Sequence, residues 1–200
     1  MALTIGASAV TDWTAVAQNT IAESGIITLS SNYSTMLHLQ AALDTTTAHT
    51  GTKFAVQVSS NATGDEDWQS FLEFVALIGT AVTDLIEDNP LAAHSTAIAL
   101  TGQILSAAVG LGSWLFIEDG TLINSELIFL ASQSTNEIVA LDDTTNAHAQ
   151  NTAIFSIAIS RVIQIPINAG MRARVIVDNS YDVDGSTLNY KLRTTQTTAI

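Results

Sequence analysis

Apolar side chains recur at every second position, or in short β-branched runs, over much of this chain. VIQIPIN at 162–168, RARVIVD at 172–178 and TLNYKLRTT at 187–195 each fit a strand, and Asn168, Ala169 and Gly170, then Asp182 to Gly185, supply turns between them. Together they predict a three-strand meander at the C-terminal end. Upstream, STMLHLQAAL at 34–43, FAVQVS at 54–59, WQSFLEFVAL at 68–77, WLFIE at 114–118 and ELIFLA at 126–131 predict further strands. Residues 70–87 and 97–109 carry some helical spacing as well. Connections are rich in Thr, Ser, Asn and Gly, and the prolines are Pro90 and Pro166. The expected fold class is therefore all-β, an antiparallel β-sandwich or jelly roll, forming a single domain over residues 1–200.

Residues 97–117 are uncharged and long enough to cross a bilayer. They contain Thr101, Gln103, Ser106, Ser113 and three glycines, and lack a basic flank, so two buried strands broken near Gly110 to Gly112 are expected instead of a span. The opening MALTIGASAV has neither a basic region nor a long apolar one, so no secretion signal is expected. No cysteine is present, which removes disulfides, thiolate catalysis and thiolate metal sites.

Charge changes the picture more. The net charge is −13, which argues against nucleic acid as a partner because a phosphate backbone is held by a basic stripe. Residues 1–160 hold one cation, Lys53, against 16 acids, whereas residues 161–200 hold five cations against three acids. Such a chain pairs head to tail with copies of itself, docks on an acidic neighbour, or balances its charge internally. Charged residues make up only 12% of the chain, and 26 Thr, 18 Ser and 11 Asn supply much of the polar surface. Faces of that kind lose little rotamer entropy when buried.

Three times an acidic stretch runs into Ala-His and then a β-rich run: Asp44 to His49, Glu87 to His94, and Asp142 to His148. This predicts a repeated turn-strand unit. His49, His94 and His148 would either converge on a divalent metal or, as the commoner use of such a histidine, bond a loop carbonyl or carboxylate and lock the turn. Asp178, Asp182 and Asp184, with Gly185 behind them, resemble part of a calcium loop, although its closing Glu is missing; the alternative is a hairpin whose Asp and Asn side chains satisfy backbone donors. Gly64 to Trp68 encloses an acidic turn that binds calcium or stays solvated. No other cofactor is expected.

Arg172 and Arg174 share one face of their strand, and Lys191 and Arg193 share one face of theirs. If the strands are neighbours, four cations form an interface patch. Trp13, Trp68 and Trp114 serve as core or rim packing, or as a carbohydrate platform. The chain has no Gly-x-Ser-x-Gly elbow, no His-Glu-x-x-His and no phosphate-binding glycine loop, so an enzyme is not expected.

The Thr-rich turns TTTAHTGT and DDTTNAHAQNT before β runs, the segment VSSNATGDEDWQSF and the strand-rich end resemble small virion proteins of tailed bacteriophages, especially head decoration or cement proteins. That resemblance implies a β-sandwich or jelly roll on the capsid surface. It implies binding to the major capsid protein or other virion proteins in many copies, as a homo-oligomer such as a trimer, to stabilise the lattice. Nucleic acid and membrane are not expected partners. The alternatives are a tail or fibre component that contacts host glycans, and a calcium-dependent carbohydrate-binding module.

Overall fold

The computed structural model describes residues 3–5, 9–10, 12–29, 33–43, 48–64, 67–166, 170–180 and 187–199. Its first elements are short: β1 (Leu3–Ile5), β2 (Ala9–Val10) and β3 (Thr14–Val16) are successive pieces along one strand edge, and β4 (Ile21–Glu23) and β5 (Ile27–Thr28) along another. Three long strands follow, β6 (Tyr33–Leu43), β7 (Ala48–Ser59) and β8 (Gln69–Thr80). After them come β9 (Thr83–Leu85), β10 (Ala97–Ala99), the helix α1 (Ile104–Ala108), β11 (Trp114–Glu118), β12 (Glu126–Gln133) and β13 (Glu137–Ala140). The chain closes with β14 (Ala153–Ile165), β15 (Arg172–Asp178) and β16 (Leu188–Ala199).

All pairings between these strands are antiparallel, in two sheets. With β1–β3 taken as one strand and β4–β5 as the next, β6, β7, β8, β14, β15 and β16 complete a set of eight. One sheet then has the order 1-8-3-6 and the other 2-7-4-5. That is the strand order of a jelly roll. The apolar half of each alternation turns inward: Leu37, Leu39 and Leu43 from β6 and Leu188 and Leu192 from β16 face Phe54 and Val56 from β7 and Val175 and Val177 from β15. Each such side chain is worth about 1.5–3 kcal/mol on burial. Phe54 and Phe74 stack with centroids 5.3 Å apart.

Residues 81–152 leave the roll after β8 and return at β14. In this excursion β14 pairs with β11, β11 with β12, β12 with β13 and β13 with β10. The ring closes because Ile86 bridges Leu100, the Thr101 amide donates to the Leu85 carbonyl, and β9 pairs back onto β14. The result is a small closed barrel that shares β14 with the roll and hides its own strand edges. Ile86, Ile98, Leu100, Leu115, Ile117, Ile128, Leu130, Ile138 and Ile154 fill it, and Leu105 of α1 joins them.

The strands expected at 34–43, 54–59, 68–77, 114–118, 126–131 and 172–178 all coincide with strands of the fold, and 70–80 is strand rather than helix. Two expectations are corrected. The three C-terminal strands form no meander: β14 and β16 lie in one sheet and β15 in the other, because each connection crosses the roll. The stretch 97–117 is not simply two strands, since it holds a three-residue strand, α1 and then β11. No helix among the described residues is long and apolar enough to cross a membrane.

Roll and barrel meet at Trp13. Its ring lies 4.9 Å from that of Phe116, packed with Ala42 and Phe155, and its indole N–H donates to the Ser125 carbonyl at 2.6 Å. Trp13→Ala should destabilise the protein by about 3–5 kcal/mol, read as a lower urea midpoint. Trp13→Phe should lose a smaller part, about 1 kcal/mol, from the orphaned Ser125 carbonyl.

Candidate functional site

The three Ala-His pairs occupy three different settings. His49 does not sit in a turn: it lies within β7, buried, and its Nδ1 is 2.7 Å from the Leu77 carbonyl. Leu77 has a φ of +63°, opposite Gly51 at +111°, where a Cβ would collide with Val75. The histidine bond therefore braces a strained point in the β7–β8 pairing. His94 is exposed on a loop, 3.3 Å from Asp143. His148 is buried, its backbone paired with Leu91. The three do not converge, and no metal-binding group of histidines and carboxylates occurs among the described residues.

His148 is the most strongly held of them. Its Nε2 lies 2.7 Å from Glu126 and its Nδ1 3.3 Å from Asp119. Glu126 also accepts the Thr145 and Asn146 amides at 2.7 and 3.1 Å. Burial opposes charge on the imidazole, but the hydrogen bonds to Glu126 and Asp119 and their negative charge outweigh it, so its pKa lies above the ordinary 6.5. Burial likewise opposes ionisation of Glu126, yet the His148 and backbone hydrogen bonds hold its pKa below the ordinary 4.5. The charged cluster fastens the 141–152 loop onto β12 and the end of β11. Beside it Glu118, Asp119, Leu122, Ala15, Thr187 and Asn189 line a cleft of about 360 Å³ between roll and barrel.

The four expected interface cations do not share a face, because β15 and β16 belong to different sheets. Arg172 is buried: its Nε donates to the Asn61 carbonyl at 2.6 Å and its NH2 group to the Gly64 carbonyl, with the guanidinium 5.0 Å from the Trp68 ring. Arg174 pairs with Glu23 at 2.9 Å, bonds Gln57 and lies 4.3 Å over Trp68. Lys53 pairs with Glu73 at 2.9 Å, and Arg161 sits over Phe74. These cations are answered within the fold.

Lys191 and Arg193 stand apart on the outer face of the other sheet. The register aligns Lys191 with Gln40 and Ser160, Arg193 with His38 and Val162, and Thr195 with Met36 and Gln164. Met36, His38, Val162, Arg193 and Thr195 line a groove of about 250 Å³. None of these outward positions is a carboxylate. His38, Met36 and Val162 escaped the sequence reading; the alternation of β6 and β14 placed them outward, but only the register set them beside Arg193.

Of the residues expected to hold calcium, Asp178 caps its own turn, its carboxylate accepting the Ser180 amide at 3.0 Å. Asp182 and Asp184 lie outside the described residues, as do Asp44, Asp65 and Glu66. The neighbouring Asn179 is buried, accepting from Thr52 at 3.1 Å and donating to the Val16 and Ala17 carbonyls. Trp114 meets Phe129 edge-on, with centroids 5.0 Å apart.

No protein-family model matches the chain, and no curated protein does. One solved structure to which it is similar is VP17, a capsid protein of bacteriophage P23-77. The alignment covers 100% of both chains at 6% identity with a TM-score of 0.21, too loose a superposition to carry an argument.

His148→Gln leaves Asp119 and Glu126 facing one another without a cation, and should cost about 3 kcal/mol. The pH profile of stability identifies the cluster. Because the folded pKa of His148 is raised, its contribution is complete below 6.5 and is lost as pH rises through the folded value. Because that of Glu126 is lowered, its contribution is present above 4.5 and is lost as pH falls through the folded value. Urea midpoints across pH should show the alkaline limb in the wild type and its loss in His148→Gln.

Proposed function

We propose that the protein is a virion structural protein that decorates a capsid in many copies and stabilises its lattice. The observation that carries this reading is the jelly-roll strand order, an architecture that recurs in viral capsid proteins. Lectin domains and cupins use the same architecture, so the surface decides among them. A polar surface supplied largely by Thr, Ser and Asn forms contacts at low entropic cost. Repetition over a lattice converts a modest contact into firm attachment, since neighbouring copies hold one another at high effective concentration.

Contacts between neighbouring copies on the lattice would rest on the outer face of β16, β6 and β14. The net charge of −13 keeps unattached copies soluble. Binding of this kind is a physical act: it needs complementary surfaces and no chemical step.

The test is sedimentation of the protein with empty shells of its own particle at increasing ratios. The expected outcome is saturation at a fixed number of copies per shell and a higher temperature of shell disruption. A protein that stays in the supernatant at every ratio overturns the reading, and retention on immobilised glycans in its place would transfer it to the lectin class.

A further inference from the structure

We propose that the groove lined by Met36, Val162, His38 and Arg193 receives a second copy of this chain, through that copy's Leu141, Asp142 and Asp143. The inference deepens the reading above by naming a contact between copies, but it rests on the distribution of charge and apolar surface and is measured without any shell.

The first observation is a separation of charge. Residues 83–152, which build the barrel and the loops around it, contain nine acids and no Lys or Arg. All six cations belong to the roll. Four of them, Lys53, Arg161, Arg172 and Arg174, are engaged with carboxylates, carbonyls or aromatic rings. Lys191 lies 6.0 Å over Trp13. Arg193 is exposed and meets no carboxylate among the described residues. It faces outward beside Lys191, where the paired positions of β6 and β14 among the described residues hold no acid.

The second observation is a match of shapes and polarity. The groove combines two exposed apolar side chains, Met36 at 39% and Val162 at 56% exposure, with Arg193 and His38. On the barrel, Leu141 is 63% exposed and is followed by Asp142 and Asp143, both exposed. An apolar knob followed by two acids, the second of them 3.3 Å from His94, answers an apolar floor beside the Arg193 guanidinium. The knob is held in shape: the Leu141 amide donates to Phe129 at 2.8 Å and the Thr144 amide to Ser95 at 2.9 Å, so little ordering is left for association.

Knob and groove lie at different places on one molecule. The knob follows β13, which is separated from β14 by β12 and β11. The contact is therefore head to tail, and it closes into a ring or continues as an array according to the rotation between copies.

The decisive measurement is analytical ultracentrifugation of the full chain at low and high salt. The wild type should self-associate at low salt and weaken as salt screens the contact. Arg193→Glu, and separately the pair Asp142→Lys and Asp143→Lys, should each weaken association roughly tenfold or more. Mixing the two charge-reversed proteins should restore it. Circular dichroism checks that the variants fold, and His38→Glu replaces Arg193→Glu if that one does not.

A wild type that stays monomeric at low salt, or association untouched by either reversal, overturns the proposal. Shell binding by a monomeric wild type that is lost in Arg193→Glu also overturns it, and leaves an acidic virion protein as the occupant. Shell binding that persists when self-association is absent leaves the virion reading standing without this contact, so the two fail separately.

Discussion

β14 is one continuous strand of 13 residues with two sets of neighbours, and both cores are built on it. Its first half, Ala153 to Phe155, lies between β11 and β9, while residues 158–165 pair with β6. Ile154 belongs to the barrel core and Ile157, Ile163 and Ile165 to the core of the roll. A strand's hydrogen-bonding groups run along both edges, so a change of partner midway costs no unpaired backbone when a bulge absorbs the shift. On its other edge the pairing with β11 also shifts register, between Trp114 and Phe116. Through this strand a closed anionic barrel is joined to a roll that holds every Lys and Arg.

Such a join matters for any surface that binds by repetition. The Trp13 seam fastens barrel to roll, and the His148 cluster fastens a loop of the barrel. Trp13 bonds Ser125 across the boundary, and His148 draws the 141–152 loop onto Glu126 and Asp119. The buried charge at His148 is set by local desolvation and two carboxylates, and its stabilising effect depends on pH for that reason.

Much of the fold was legible in the chain. RARVIVD and WLFIE coincide with β15 and β11, and STMLHLQAAL and ELIFLA lie within β6 and β12. The candidate site was legible only in part. Arg193 and Lys191 were visible as outward residues of one strand, but their grouping with Arg172 and Arg174 failed because alternation names a face without naming a sheet. His38 carried no signal of its own. It gained meaning when the register set it opposite Arg193.

The sequence by itself determined that the chain is all-β, where most long strands run and how unevenly its charge is spread. Those properties follow from side-chain periodicity and composition, which are local. The tertiary structure alone decided that consecutive strands cross between sheets, that residues 81–152 close into a barrel on half of β14, and that four cations separate onto two faces. Those are choices among pairings of similar local energy. They are settled by which apolar faces come together and by the need to satisfy every strand edge, and neither is written in any one segment.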